Sequence, residues 1–436
     1  MGKPKLVIIH TKKRIKEYPI TKELFQLALN VTAPWFVSDL KFDVEAKRLD
    51  VYIDFEKGST FEYEDTDNDE ITKHQDLKAY DTADKQWRHL NFFEHECYLH
   101  ARVPRVKLPN GKTKRIKTPW EGLSNGFTLL FEALLLQLCQ AMPVNKVANI
   151  TKTSDDKLWS MLERYIDSAR KYENFEDVDA IGMDETSRAK GHEYITLFVD
   201  LKKRRTMFIT EGKDNLTVAR FAYDFEHHNG SIKNIKDVSC DMSPAFIKGV
   251  KENLPDAKIT FDKFHILKII NEAVNSVRKE EVNTNNILKG TKYIWLKNYN
   301  NLTLKQKEKL DELSMSNMNI KTMRAYNIRQ AFQDIYKANT QEEFEEYLNK
   351  WYYWATHSRL EPMKKAAKTV KRHWDGILRW YESKINNGIL EGLNSVIQAA
   401  KSKARGYKTF KNYKIIVYLL TGKLDFSRVN NKFRGF

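Results

Sequence analysis

The stretch Asp179-Ala-Ile-Gly-Met-Asp-Glu-Thr-Ser187 decides how the rest of the chain is read. Apolar positions alternate into two adjacent carboxylates, Asp184 and Glu185, and then into turn-prone Thr and Ser. That pattern predicts a short buried strand presenting a charged group at its far end. A carboxylate beside a core strand is costly unless a cation or hydrogen bonds compensate it. The arrangement returns in Ile235-Lys-Asp-Val-Ser-Cys-Asp-Met-Ser243, with Asp241 at the strand's end. A third carboxylate, Glu391, lies in Asn386-Asn-Gly-Ile-Leu-Glu-Gly-Leu-Asn-Ser-Val-Ile397 and opens a helix over 392–401. Each of the three closes or opens a regular element, which points to one shared metal site.

Around the first stretch, residues 178–270 alternate strands and helices. Strands are expected at 194–200, 206–210, 238–241 and 258–262, with helices at 216–227, 244–254 and 266–281 and a turn at Lys202-Lys-Arg-Arg205. The order β-β-β-α-β-α-β-α is that of a ribonuclease-H-like core, an α/β architecture. Asp184 and Asp241 then end neighbouring strands. Two carboxylates that close repel unless divalent cations sit between them, and hard oxygen ligands suit Mg²⁺ or Mn²⁺. Such ions activate a water or a 3′-hydroxyl and steady the leaving oxygen of a phosphodiester. Glu185 faces the other side of the strand and has a supporting role at most. Asp262 and His265 in Phe261-Asp-Lys-Phe-His form a candidate helper pair, and Lys263, Lys403 and Arg405 are candidate phosphate contacts.

The chain has 436 residues, 74 Lys+Arg against 58 Asp+Glu, a net charge of +16 and a pI near 9.3. An excess of that size implies a polyanionic partner, most commonly nucleic acid. Cys97, Cys139 and Cys240 are widely spaced and make no CxxC pair, so a reducing, cytoplasmic, nucleoid-associated setting is expected. Met1-Gly-Lys-Pro-Lys begins no signal peptide, and the most apolar run, Phe127 to Cys139, is too short to span a bilayer.

Residues 40–120 read as a small twisted β module. Its hairpin runs from Leu40 to Phe55, an acidic loop spans Glu62 to Glu70, and Asn110-Gly111 marks a turn. From Gly126 the period becomes helical: helices are predicted over 127–142, 144–150 and from the cap-type residues at Thr153 to about Tyr172. Three helices with tight connections match a helix-turn-helix whose last helix enters a major groove. Its DNA-binding candidates are Lys152, Lys157, Ser160 and Arg164; a plain helical hairpin is the alternative. Residues 282–385 are helical throughout, an all-α insertion in which the aromatic stripe of Phe344 to Trp354 serves core packing before base stacking. The expected division is thus 1–120, 121–175, 176–281, 282–385 and 386–436.

At these residues the chain resembles bacterial insertion-sequence transposases of the ISL-three family. The likeness rests on Gly182-Met-Asp-Glu-Thr-Ser, Lys190-Gly-His-Glu-Tyr-Ile-Thr, Cys240-Asp-Met-Ser-Pro-Ala-Phe, Phe261-Asp-Lys-Phe-His and Asn387-Gly-Ile-Leu-Glu-Gly-Leu-Asn, with Trp87-Arg-His-Leu and Arg102-Val-Pro-Arg. The resemblance implies an Asp-Asp-Glu transposase with a ribonuclease-H-like core and a helical insertion, its triad falling on Asp184, Asp241 and Glu391. It also implies double-stranded DNA partners (the element's terminal inverted repeats and a target), a homodimer or larger assembly, and no membrane partner. Family members usually carry an N-terminal zinc ribbon with two cysteine pairs. Here Phe61 to Asp69 and Lys107-Leu-Pro-Asn-Gly-Lys hold no Cys, so a degenerate ribbon-like module without zinc is expected. Two other classes compete: a domesticated, catalytically silent DNA-binding regulator, and a metal-independent glycosidase using paired carboxylates, which the basic charge disfavours.

Overall fold

The computed structural model describes residues 19–68, 70–124, 126–189, 193–315, 320–385 and 388–433. Met1-Gly-Lys-Pro-Lys, Lys190-Gly-His192 and Asn386-Asn387, parts of the motifs quoted above, lie outside the described residues. Two compact units form: residues up to Ala169 with those from Asp425 onward, and Arg170–Leu424. No helix among the described residues is long and apolar enough to cross a membrane.

The first unit begins with α1 (Pro19–Ala28) and the strands β1 (Trp35–Asp43), β2 (Arg48–Phe55), β3 (Thr60–Asn68), β4 (Glu70–Arg88), β5 (Glu96–Lys107) and β6 (Thr113–Arg115). Among the described residues these make a six-stranded sheet of order β1-β2-β5-β4-β3, with β6 on β5. It is broader than the ribbon-like module expected, and it has an apolar core of its own around Trp35, Val51, Trp87, Leu99 and Val103. The Asn110-Gly111 turn is where the sequence placed it, with Gly111 at φ +81° joining β5 to β6. The acidic run Glu62 to Glu70 is not a loop: β3 and β4 pair across it. Phe61 is buried and Tyr63 packs on the core, while Glu64 opposite Lys73 forms a 2.7 Å ion pair. The alternation and the cross-strand charge pair outweigh the acidity.

Three helices follow: α2 (Leu129–Ala141), α3 (Val144–Thr151) and α4 (Asp155–Arg170). Their bounds fall within a few residues of those read from the sequence. Phe131, Leu135, Leu136, Val147, Leu158, Leu162 and Tyr165 are buried on their inner faces. Buried Glu132 accepts the N–H groups of Leu123 and Ser124 and the Tyr165 hydroxyl, so its desolvation is compensated by three donors. The motif Trp87-Arg-His staples the sheet to these helices. Trp87 sits in the sheet core, Arg88 donates to the carbonyls of His89 and Cys97, and His89 Nδ1 lies 2.8 Å from the hydroxyl of Thr128, which caps α2.

The second unit opens with the strands β7 (Ala180–Ala189), β8 (Glu193–Asp200) and β9 (Arg205–Glu211), then α5 (Leu216–His227), β10 (Asp237–Cys240), α6 (Pro244–Asn253), β11 (Lys258–Phe261) and α7 (Lys263–Val282). The element order agrees with the sequence reading. The strands form a mixed sheet, β11-β10-β7-β8-β9, in which β10 runs parallel to β7 and β11 while β7, β8 and β9 are antiparallel. Then come α8 (Lys292–Leu296), α9 (Leu304–Met315), α10 (Lys321–Ile335), α11 (Gln341–His357), α12 (Glu361–Arg372), α13 (Trp374–Ser383), α14 (Gly388–Ala404) and α15 (Phe410–Thr421). The helical segment is not separately cored: Trp295, Phe332, Trp351 and Met363 belong to one apolar core with Val238 and Phe261 of the sheet. In α11, Phe344, Leu348 and Trp351 are buried, whereas Tyr353 and Trp354 are exposed.

Candidate active site

Strand β7 does not end at Asp184, as the sequence suggested. Its pairing with β8 continues through Ala189↔Glu193, because the two strands form one hairpin. On its other edge the parallel ladder to β10 stops at Ser239↔Gly182. Asp184 therefore sits within a strand, at the notch where one neighbour leaves off. Extending the register by two residues sets Asp241, the first residue past β10, opposite Asp184.

Local hydrogen bonds fix both carboxylates. Asp184 Oδ1 accepts the N–H of Glu185 at 2.8 Å, and Asp241 Oδ1 accepts that of Ser243 at 2.9 Å, in the turn leading into α6. Burial pushes the Asp184 carboxyl up to about 6; Asp241 and Asp262 add to the rise, and His265 opposes it. Ionised Asp184 is thus about 3 kcal/mol less stable here than in water. Glu185 is raised too, by burial first and then by Asp241.

Asp262 and His265 come together as expected. Asp262 caps α7 by accepting the N–H of Phe264, and its other oxygen lies 2.9 Å from His265 Nδ1. That bond, more than any other cause, raises the His265 pKa, with Asp184 and Asp241 contributing. The intervening Lys263 is not free for phosphate: its ammonium sits 4.1 Å from the centre of the Tyr336 ring and 5.8 Å from that of Trp380, and burial lowers its pKa.

Helix α14 lies along β7. Leu390 packs on Gly182, where a Cβ would come within 2.7 Å of Leu390 Cδ1. Asn394 Nδ2 donates to Asp184 Oδ2 at 2.5 Å, and Gln398 Nε2 to Thr186 Oγ1 at 2.7 Å. Lys401 Nζ donates to the Ser187 carbonyl at 2.6 Å. Steps of four residues on the helix, about 6 Å, match steps of two on the strand, about 6.6 Å. Glu391 lies in the first turn of α14, four residues into a helix that starts earlier than expected, and is exposed. It is one turn before Asn394 and adjacent to it on the helix surface. Among the described residues, no three His, Cys, Asp or Glu side chains gather closely enough to hold a metal ion. Asp184, Asp241 and His265 are near enough for their charges to act on one another, but neither they nor a set with Glu391 make such a group.

Sequence reasoning did not single out Asn394. Its Oδ1 is buried and has no hydrogen-bond partner beside the site. Its place in Asn387-Gly-Ile-Leu-Glu-Gly-Leu-Asn, three residues after Glu391, was the available signal. An uncharged amide becomes conspicuous only once the helix–strand register is known.

Of the DNA candidates, Lys157, Ser160 and Arg164 lie along one exposed stripe of α4. Arg164 donates to the Leu123 carbonyl at 2.9 Å. Lys152 ends α3 at φ +52° and pairs with Glu96 at 3.0 Å. Lys403 and Arg405 are exposed at and just beyond the end of α14. Cys97, Cys139 and Cys240 are buried free thiols.

Comparison with known proteins gives these features a context. Residues 181–417 match the family model for the DDE domain of ISL3 elements, described as a transposase. Residues 124–166 match the helix-turn-helix domain of transposase family ISL3. The chain is 26% identical over 343 residues to the transposase for insertion sequence element IS1001 of Bordetella parapertussis, covering 76% of this chain and 83% of that protein. It is 24% identical over 354 residues to the transposase for insertion sequence element IS1557 of Mycobacterium tuberculosis, covering 74% of this chain and 79% of that protein. With one family model spanning more than half of its length and a second on the three helices before it, the chain belongs to the ISL3 family of insertion-sequence transposases.

Proposed function

We propose that this chain cuts DNA at the ends of an insertion sequence and joins the freed 3′-hydroxyls to target DNA, with Arg170–Leu424 as a ribonuclease-H-like catalytic unit. The strand order β11-β10-β7-β8-β9, antiparallel on one side of β7 and parallel on the other, supports the fold assignment. The observation that carries the activity is the nearness of Asp184 and Asp241 at the notch beside β10, close enough for the charge of Asp241 to act on Asp184, with the Asn394 amide on Asp184 and its buried Oδ1 without a partner.

A Mg²⁺ or Mn²⁺ site fits these residues. A half-buried carboxylate crowded by two others and a buried acceptor without a donor are a hard-oxygen set in want of a cation. Asp184, Asp241 and Glu391 would hold it. When bound, such an ion lowers the pKa of the attacking water or hydroxyl and stabilises charge on the leaving oxygen. Asn394 orients Asp184 through its amide. Asp262 engages His265 Nδ1, which leaves Nε2 as the nitrogen able to donate to a phosphate oxygen. Glu391 completes the set by a shift of α14's first turn toward the aspartates once DNA is in place.

In the first unit, α4 reads the terminal repeat through the Lys157, Ser160 and Arg164 stripe, with Lys152 at its approach. Lys403 and Arg405 hold phosphates, and two copies of the chain hold the two ends. The test is strand cleavage and joining by purified protein on end-bearing duplex with Mg²⁺. Asp241→Asn should abolish both and leave binding intact; cleavage that survives it, or that is insensitive to EDTA, overturns the reading. One observation favours the silent-regulator alternative: Glu391 is solvent-exposed and apart from the aspartates. Sequence-specific binding without any metal-dependent cleavage would select it.

A further inference from the structure

We propose that the outer face of α12 is a second DNA-contact surface, which holds the phosphate backbone of duplex DNA without reading bases. It rests on the transposase reading only for the presence of DNA. The helix is Glu361-Pro-Met-Lys-Lys-Ala-Ala-Lys-Thr-Val-Lys-Arg372. Met363, Ala366, Ala367 and Val370 form its buried stripe. Lys365, Lys368, Lys371 and Arg372 are exposed on the other side.

Ordinary structural roles cover part of this charge. Lys364 pairs with Glu361 at 2.8 Å. Lys371 lies 4.0 Å from the centre of the Trp374 ring. Lys371 and Arg372 also sit in the last turn, where cations complement the helix dipole. Lys365 and Lys368 have no such account. Among the described residues neither makes an ion pair: Glu361, whose charge they reach, is already paired with Lys364, and Lys368 stands within one turn of Lys364, Lys365, Lys371 and Arg372, so the face repels itself. In the first unit, by contrast, Arg102 pairs with Asp54, Arg105 with Asp81 and Arg115 with Glu121. Lys365, Lys368 and Arg372 are spaced i, i+3 and i+7, one line about 10 Å long. Arg372 also lines a groove of about 1040 Å³ of mixed charge, which holds Lys251 and Lys258 but also Glu252, Asp375 and Glu382. Duplex DNA presents one negative charge per about 1.7 Å of its axis, the complement of such a line.

The test uses the full chain and its Lys365→Glu/Lys368→Glu/Arg372→Glu variant. Binding to an end-bearing duplex and to a random-sequence duplex is followed by anisotropy across a salt series. If three phosphate contacts are lost, the slope of log K against log salt becomes shallower by about 2–3 on both duplexes. Lys365→Glu and Lys368→Glu relieve repulsion while Arg372→Glu loses its complement to the helix dipole, so the melting temperature should change little. Equal slopes for variant and parent on both duplexes overturn the proposal, as does a loss confined to the end-bearing duplex, which would mean base reading. A parent that binds no duplex overturns it too. Failure of the catalytic reading looks different: the slope changes as stated, yet no strand is cut.

Discussion

In the proposed reaction the chemistry turns on Asp184, whose side chain Asn394 holds. A carboxylate raised to about 6 by burial is unsettled until a cation arrives, and the 2.5 Å amide bond keeps its second oxygen in one orientation. Asn394→Ala should therefore lower metal-dependent cleavage by about 10–100-fold, the range for partners that orient metal ligands. Anisotropy should find its DNA affinity unchanged; equal cleavage by the two proteins would remove Asn394 from the site. His89 offers a separate test. Burial holds its pKa at about 4 against an ordinary 6.5. As pH falls below 6.5 the unfolded chain takes up this proton and the folded one does not, so stability is full above that pH. It should drop by up to about 3 kcal/mol as pH approaches 4. Urea melts across this window should show His89→Gln flattening the dependence; parallel curves would contradict it. Asp184, Asp241, Asp262 and His265 were legible in the sequence because charge interrupts an apolar alternation. Asn394 was not, since an amide in a helix signals nothing without its neighbour.

At the scale of elements, α14 against β7 is the contact that sets the site. Leu390, Asn394, Gln398 and Lys401 meet Gly182, Asp184, Thr186 and Ser187 in register. Gly182→Ala would drive a methyl into Leu390 and Leu201. It should cost about 1–3 kcal/mol of stability and depress cleavage by displacing the helix. Gly182→Ala with Leu390→Ala should recover part of both; a fully stable, active single variant would show that the packing is slack. Element type and order were readable through α7 because alternation, caps and turns agree locally. Two boundaries were not. Strand β7 runs on to Ala189 because β8 is there to pair with it, and β3 exists because Lys73 and a buried Phe61 offset its acids. Both depend on which residue faces which across neighbouring strands, which periodicity along a single strand does not carry.

At the largest scale, the sheet of the second unit and the helices α7–α13 share one apolar core. They should unfold together, so limited proteolysis should release no stable fragment of α8–α13; a resistant fragment of that span would mean an independent domain. The unit that carries α4 has a separate core in its sheet; in the proposed reaction two copies bring two such units to the two ends of an element. The central claim is that Asp184, Asp241 and Glu391 surround one ion when DNA is bound. It is tested most directly by replacing Mg²⁺ with Fe²⁺ in the DNA complex and mapping the backbone cuts made by ascorbate and peroxide. Cuts should cluster around residues 184, 241 and 391 together and vanish in Asp184→Asn. Cuts at the two aspartates with none near Glu391 would contradict the claim.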